Sequence, residues 1–332
     1  MPPKILEQVR NGATDAFSHM PDFSFNAEAA KELSGHLEKL GSDDGPVQFP
    51  LAFESVEEKV NFLAIYALLS FGSGFRKELH EFAQRGAQDT TLFLAMTMYM
   101  TKKPGLLDAD FLSNVTVSDI AEWAGVPLRI EKPCEGLSSS AITELVDSDL
   151  KPWVENMAHV LVETGTILKQ LDCQSLGAFC LEYANPNDSN ELVERLCMCF
   201  PAFQDVGRLD GQLVYILKKA MLAVYMLHNA YPDRFSCEGL SVFADNVLPS
   251  ILVYFHVLEI PESLRSKLEN LQPLTDKEAL QLRTATVHIC NLIANETNIS
   301  PVKIDQRLWK YSKSNPELRK LPRFLKKDTV MF

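Results

Sequence analysis

Apolar positions along the chain recur mostly at helical spacing, not at the strict alternation of strands. A polar-rich helix is expected over 27–40, stopped by Gly41. Ser55 with Glu58 has capping-box spacing ahead of an apolar run over 60–71. Phe71-Gly72-Ser73-Gly74-Phe75 interrupts that run, and a further helix starting at Arg76 or Asp89 is ended by Lys103-Pro104-Gly105. The stretches 115–118 and 126–130 are the tempting strands, both short. One or two helices are expected over 141–171, with Pro152 in a first turn. Asp188 with Glu191 marks another helix start, and Pro201 closes that segment. The segment 212–230 is strongly apolar around Lys218-Lys219, and 238–258 holds Pro249, which starts or kinks a helix. Thr275 with Glu278 is a second capping box, opening a helix to 295, and 300–314 is a last helix before a basic tail. The predicted class is all-α with little or no β. No linker, low-complexity stretch or repeat appears, so residues 1–332 are expected to form one compact helical domain, or two lobes of it around a cleft.

Composition narrows the function classes. The chain is 46% apolar and 23% charged, ordinary for a packed protein, with a net charge of −12. That charge argues against coating DNA or RNA, which needs a basic face, but leaves room for a local phosphate pocket. The N-terminal stretch lacks the apolar core of a signal peptide. The apolar stretches 92–100 and 247–260 fall short of the ~20 residues of a membrane span. Seven cysteines without framework spacing read as reduced thiols in a cytoplasmic or nuclear setting. Cys197-Met198-Cys199 has no second pair to complete a zinc set and is expected to be core, as are His256 and His288. Arg76 and His80 share a helix face that either binds an anion or is solvated. Phosphate-loop, dinucleotide-loop and H-E-x-x-H signatures are absent, and no cofactor or metal is expected.

Ser241-Val242-Phe243-Ala244-Asp245-Asn246-Val247-Leu248-Pro249 sets a carboxylate inside an apolar run. Burying an unpaired carboxylate is costly, so Asp245 either caps the helix that Pro249 begins or serves a site. The residues themselves leave both uses open.

Phe243-Ala244-Asp245 followed by Leu248-Pro249 resembles the core motif of the queuosine salvage proteins, the queuosine 5′-phosphate N-glycosylase/hydrolases. Other segments are similar in the same order: Glu163-Thr164-Gly165, Phe200-Pro201 with Phe203-x-Asp205-Val206, Leu217-Lys218-Lys219-Ala220, and Ile304-Asp305 with Leu308-Trp309 and Tyr311. The likeness runs from about residue 55 to the end. It implies an all-helical fold similar to DNA glycosylases. It also implies hydrolysis of the N-glycosidic bond of a nucleoside 5′-phosphate, freeing queuine for tRNA-modification salvage. The partner is then a small nucleotide, with no direct nucleic-acid or membrane binding.

Glycosidic cleavage builds positive charge near the anomeric carbon, which a fixed carboxylate stabilises while orienting water. The resemblance gives that role to Asp245. Phe243 would stack on the base, Asp305 accept its hydrogen bonds, and Tyr311 line the pocket. Lys218 or Lys219, whichever faces inward, would hold the phosphate; Arg323 and Lys326 are the other option, or else a solvated tail. Gln306 stands where the family commonly has Tyr, Lys310 where it typically has Asp after Leu-Trp, and Gln48 at the place of a ligand-contacting His. Tyr66 to Phe71 replaces an Asp-Thr-Leu-Asn-Phe segment. These departures mark a divergent branch. They leave a non-catalytic nucleotide-binding or scaffold protein on the same fold as the alternative.

Overall fold

The computed structural model describes residues 4–39, 49–102, 106–134 and 142–332. They form two compact units: Met1–Pro50 with Tyr183–Phe332, and Leu51–Glu182 inserted between. Helices dominate both, and the described strands form three short antiparallel pairs.

The first unit opens with α1 (Ile5–Ser18), β1 (Ser24–Phe25) and α2 (Ala27–Lys39). Leu6, Val9, Ala13 and Ala16 give α1 one buried stripe at helical spacing.

The inserted unit holds α3 (Val56–Leu68), α4 (Arg76–Ala83), α5 (Ala87–Lys102), α6 (Ala109–Ser113), α7 (Val117–Ala124), the hairpin β2 (Arg129–Pro133) and β3 (Thr143–Asp147), then α8 (Lys151–Gln170) and α9 (Leu176–Glu182). Ser55 caps α3 by accepting from the Glu58 N–H, as its spacing predicts. Glycine in Glu163-Thr164-Gly165 has a packing reason: a Cβ on Gly165 would stand 2.5 Å from the Ser113 backbone nitrogen, so α8 lies directly against α6.

The chain then returns to the first unit through α10 (Asn190–Cys199), the hairpin β4 (Val206–Leu209) and β5 (Gln212–Tyr215), α11 (Lys218–Ala230), α12 (Val247–Tyr254), β6 (Leu258–Glu259), α13 (Glu262–Glu269), α14 (Asp276–Thr297), α15 (Pro301–Ser314) and α16 (Pro316–Lys320). Strand β6 pairs with β1, Ser24 opposite Glu259. The spine is α14, 22 residues long and packed on α1, α2, α12, α15 and β4. Its capping box forms as predicted, with the Thr275 hydroxyl and Glu278 carboxylate serving each other's backbone N–H.

Several local expectations are corrected. Residues 115–118 are a helix start, because Thr116 and Asp119 close a capping box there. The segment 143–147 is a strand paired with 129–133, and the helix waits until Lys151, where Pro152 fits the first turn. In the apolar segment 212–230, residues 212–215 pair with 206–209 as a strand, and the helix begins at Lys218. Asp210 and Gly211, at φ 49° and 89°, make the left-handed two-residue turn that suits hairpin twist. His256 is no core residue: it is exposed at φ 55° and pairs with Glu259. His288 is half-buried and stacks on Phe17 at 4.5 Å. No described helix is long and apolar enough to cross a membrane.

Candidate functional site

The chemistry-bearing residues of the first unit converge through Asp205. After the tight turn at Pro201–Phe203, the Asp205 carbonyl accepts the N–H groups of Ile216 and Leu217. Its carboxylate accepts the Lys218 N–H at 3.1 Å and both arms of the Arg283 guanidinium at 2.8 and 2.5 Å. Both members of that ion pair are buried. The bonds fix Leu217 at φ 52°, a strained conformation for a leucine, and from it α11 starts with Lys218 and Lys219 facing the interior.

Arg283 also reaches forward. Its Nε donates to the Ala244 carbonyl at 2.8 Å. Phe243 donates its N–H to Asp305 Oδ2 at 2.7 Å. Asp245 Oδ1 accepts the Val247 N–H at 2.6 Å at the first turn of α12. Arg323 donates to the Val247 carbonyl at 2.9 Å, and Asn246 Nδ2 to the Phe324 carbonyl at 3.3 Å. Four of the five residues 243–247 are thus held by partners from α14, α15 and the C-terminal segment, and Asp245 between them is tied to Val247. Asp245 is half-buried, and among the described residues its Oδ2 accepts no hydrogen bond. The Phe243 ring is buried and meets Tyr225 of α11 with centroids 5.5 Å apart.

Of the two uses weighed for Asp245, the helix-start bond is present through Oδ1, and it leaves Oδ2 outside that bond.

Electrostatics bind the group together. Burial pushes the Lys218 ammonium below its ordinary pKa, opposed chiefly by Asp245 and aided by Arg283. Burial pushes Lys219 down further, and the neighbouring Lys218 charge adds to it. Asp305 is raised to about 7 by burial first; Asp245 adds to the rise, and the Phe243 N–H and Lys218 oppose it. An unfolded Asp titrates near 3.9, so between that pH and about 7 the native state holds a proton that the unfolded chain has lost. Stability contributed at this position is present at the acid end and lost as pH rises through that window. Asp305→Asn keeps an oxygen for the Phe243 N–H but does not ionise. Its melting temperature relative to the wild type is expected to climb steadily from pH 4 to pH 8. A gap that stays level across the series contradicts the assignment.

The other predicted residues are placed as follows. On α15, Gln306 is half-buried with Nε2 3.4 Å from Asp305 Oδ1; Lys310, four residues on, shares its face and is exposed. Tyr311 stacks on Phe255 at 6.0 Å. Phe255 follows the C-terminal end of α12, whereas Asp245 precedes the start of that helix, roughly 12 Å away along its axis. The structure thus brings Phe243, Asp245, Asp305, Gln306 and Lys218 together and sets Tyr311 apart. Arg323 donates to the carbonyls of Val247 and Leu318. Lys326 is buried and pairs with Asp276 and Asp328. Gln48 lies outside the described residues.

Sequence reading missed Arg283 and the role of Asp205. The signal was present: Arg283 interrupts a buried face of α14 formed by Ala279, Leu282, Thr286 and Cys290. An arginine in such a stripe requires a buried anion, and Asp205 supplies it.

Fold and site together define a mostly helical protein that presents a braced carboxylate beside buried lysines and an aromatic ring. The profile of a family described as "Queuosine salvage protein" matches residues 54–330, and the chain belongs to that family. Similar curated proteins include the queuosine 5′-phosphate N-glycosylase/hydrolase of Dictyostelium discoideum, 26% identical over 241 residues, 69% of this chain and 67% of that protein. Those of Mus musculus (24% over 217 residues, 58% and 63%) and Sphaerobacter thermophilus (28% over 191 residues, 55% and 51%) bear the same name. The matched stretches therefore span between about half and two thirds of these relatives' lengths.

Proposed function

We propose that this protein hydrolyses the N-glycosidic bond of queuosine 5′-phosphate, or of a closely related nucleoside 5′-phosphate, releasing the free base and ribose 5-phosphate. One observation carries the reading: Asp245 is fixed through Oδ1 and, among the described residues, has no hydrogen bond to Oδ2, in a backbone held by Asp305 and Arg283. A carboxylate pre-positioned in this way stabilises an oxocarbenium-like centre and orients the incoming water without reorganising during the reaction. Phe243 offers a ring to the base, and Asp305 and Gln306 offer hydrogen bonds. Lys218 offers positive charge to the phosphate from the start of α11. The relatives' names support the reaction class. The seven cysteines, all unpaired, suit a reducing cytoplasmic or nuclear compartment. The whole chain, 1–332, acts as the salvage domain in this reading.

The direct test incubates purified protein with queuosine 5′-phosphate and follows free queuine by chromatography. Release is expected. No release, where the Mus musculus relative works under the same conditions, removes queuosine 5′-phosphate as substrate.

The exposed cation Lys310 favours a second reading, a nucleotide-binding or scaffold protein without turnover. It requires some member of a nucleotide panel to raise the melting temperature while remaining intact.

A further inference from the structure

The face of Arg283 is covered by Phe332. The guanidinium carbon lies 4.3 Å from the centroid of the Phe332 ring. Phe332 is itself buried and meets the buried Phe324 edge-on at 5.4 Å. Phe324 in turn supplies the carbonyl that holds Asn246, and its neighbour Arg323 holds Val247. The C-terminal segment is fastened independently: Leu325 accepts the Leu274 N–H, and the buried Lys326 pairs with Asp276 and Asp328.

Two supports therefore reach the Asp245 backbone from one strap. One is direct, through Asn246 and Val247. The other passes through Phe332, whose ring covers the plane of Arg283 while Asp205 fixes its edge.

A guanidinium with a fork on one edge and an aromatic ring on its face keeps little rotational freedom. Its Nε–H then points in one direction, at the Ala244 carbonyl, one peptide before Asp245. A shorter, unbranched ammonium could keep the charge but not the three simultaneous constraints.

We propose that Arg283 is the positioning residue of the Asp245 segment and that Phe332 is the cap that holds Arg283 in its working orientation. This rests on the reading of Asp245 as the catalytic residue. Neither Arg283 nor Phe332 would touch the nucleotide. Their effect is to set where the Asp245 carboxylate stands when substrate binds.

Phe332→Leu keeps apolar bulk and removes the ring face; Arg283→Lys keeps the charge and removes the fork. Two readouts are taken on each: hydrogen exchange of the peptide covering residues 243–248, compared with a peptide from α1, and kcat and KM for queuosine 5′-phosphate. The expected result is faster exchange over 243–248 with α1 unchanged. Alongside it, kcat should drop ~10-fold or more, since small displacements of a catalytic group are costly. KM should stay within about 2-fold, as expected when an interaction that matters only in the transition state is weakened. Arg283→Lys should be the more severe of the two. Should it fail to fold, Phe332→Leu alone decides. Unchanged exchange over 243–248, or loosening spread equally to α1, overturns the proposal, because Phe332 would then merely fill space. A wild type that releases no base sinks the hydrolase reading, whereas the exchange comparison still decides whether Arg283 and Phe332 set the position of the segment.

Discussion

Asp245→Asn is expected to fold and melt like the wild type and yet release base from queuosine 5′-phosphate about 10³-fold more slowly, the scale of losing one preorganised electrostatic group. The choice of substitution follows from the geometry. Asp245 Oδ1 accepts the Val247 N–H, so the side chain supports the first turn of α12 as well as facing outward. An asparagine retains an oxygen for that bond. It loses only the negative charge and the second acceptor oxygen. Asp245→Ala loses both, and should cost about 1 kcal/mol of stability for the missing helix-start bond as well as the activity. Comparing the two separates the duties. If the carboxylate is only a cap, Asn is silent and Ala is mildly destabilising, with turnover unaffected by either once folding is accounted for. If it stabilises the transition state, both are inactive and only Ala melts earlier. Single-turnover rates with thermal unfolding on the same samples read out both properties. A fully active Asp245→Asn enzyme would rule out the carboxylate's part in the chemistry.

The contrast between what the sequence announced and what it concealed has a physical basis. The helices from Ser55 and Thr275 were legible because capping is local, donor and acceptor lying three residues apart: the full box forms at Thr275, while at Ser55 only the hydroxyl half forms and Glu58 accepts from the Glu54 N–H instead. Asp245 was legible as an anomaly because a carboxylate in an apolar run demands a use, and one of the two named for it, the bond at the helix start, is present. The hairpin at 206–215 was lost under an apolar run, although Asp210-Gly211 carries the turn signal of such a hairpin. Pairing energy there comes from a partner strand, and a periodicity window centred on the following helix does not see it. The Asp205–Arg283 pair was hidden for a stronger reason. Its members are 78 positions apart, and although Arg283 stands out in a buried stripe, nothing local to it names Asp205 as the partner. Tyr311, assigned to the pocket through the resemblance, stacks on Phe255, a contact made across the fold that no local pattern announces.

Asp205→Ala should be among the most destabilising single changes in the first unit, by about 3–5 kcal/mol, the usual result of leaving one member of a buried ion pair without its partner. The cost would not measure the strength of the pair. Forming it requires stripping water from both charges, and the attraction returns much of that expense and no more. What the alanine leaves is a guanidinium, buried on every side, facing the gap where a carboxylate stood. It also strips the Lys218 N–H of its acceptor, leaving the left-handed Leu217 to the bond that its N–H makes with the Asp205 backbone carbonyl. The distinguishing measurement is a double-mutant cycle. Arg283→Met alone strands the Asp205 carboxylate and releases the Ala244 carbonyl. Combined with Asp205→Ala it removes both charges at once, so the doubly substituted protein should be more stable than the sum of the single losses implies, by about 1–3 kcal/mol of coupling. Urea unfolding of the four proteins gives that figure. Strictly additive losses would mean that the two side chains act separately, each holding its own backbone contact. A large coupling would mean that Asp205 and Arg283 work as one neutral strut, with the start of α11 at one end and the Asp245 segment at the other.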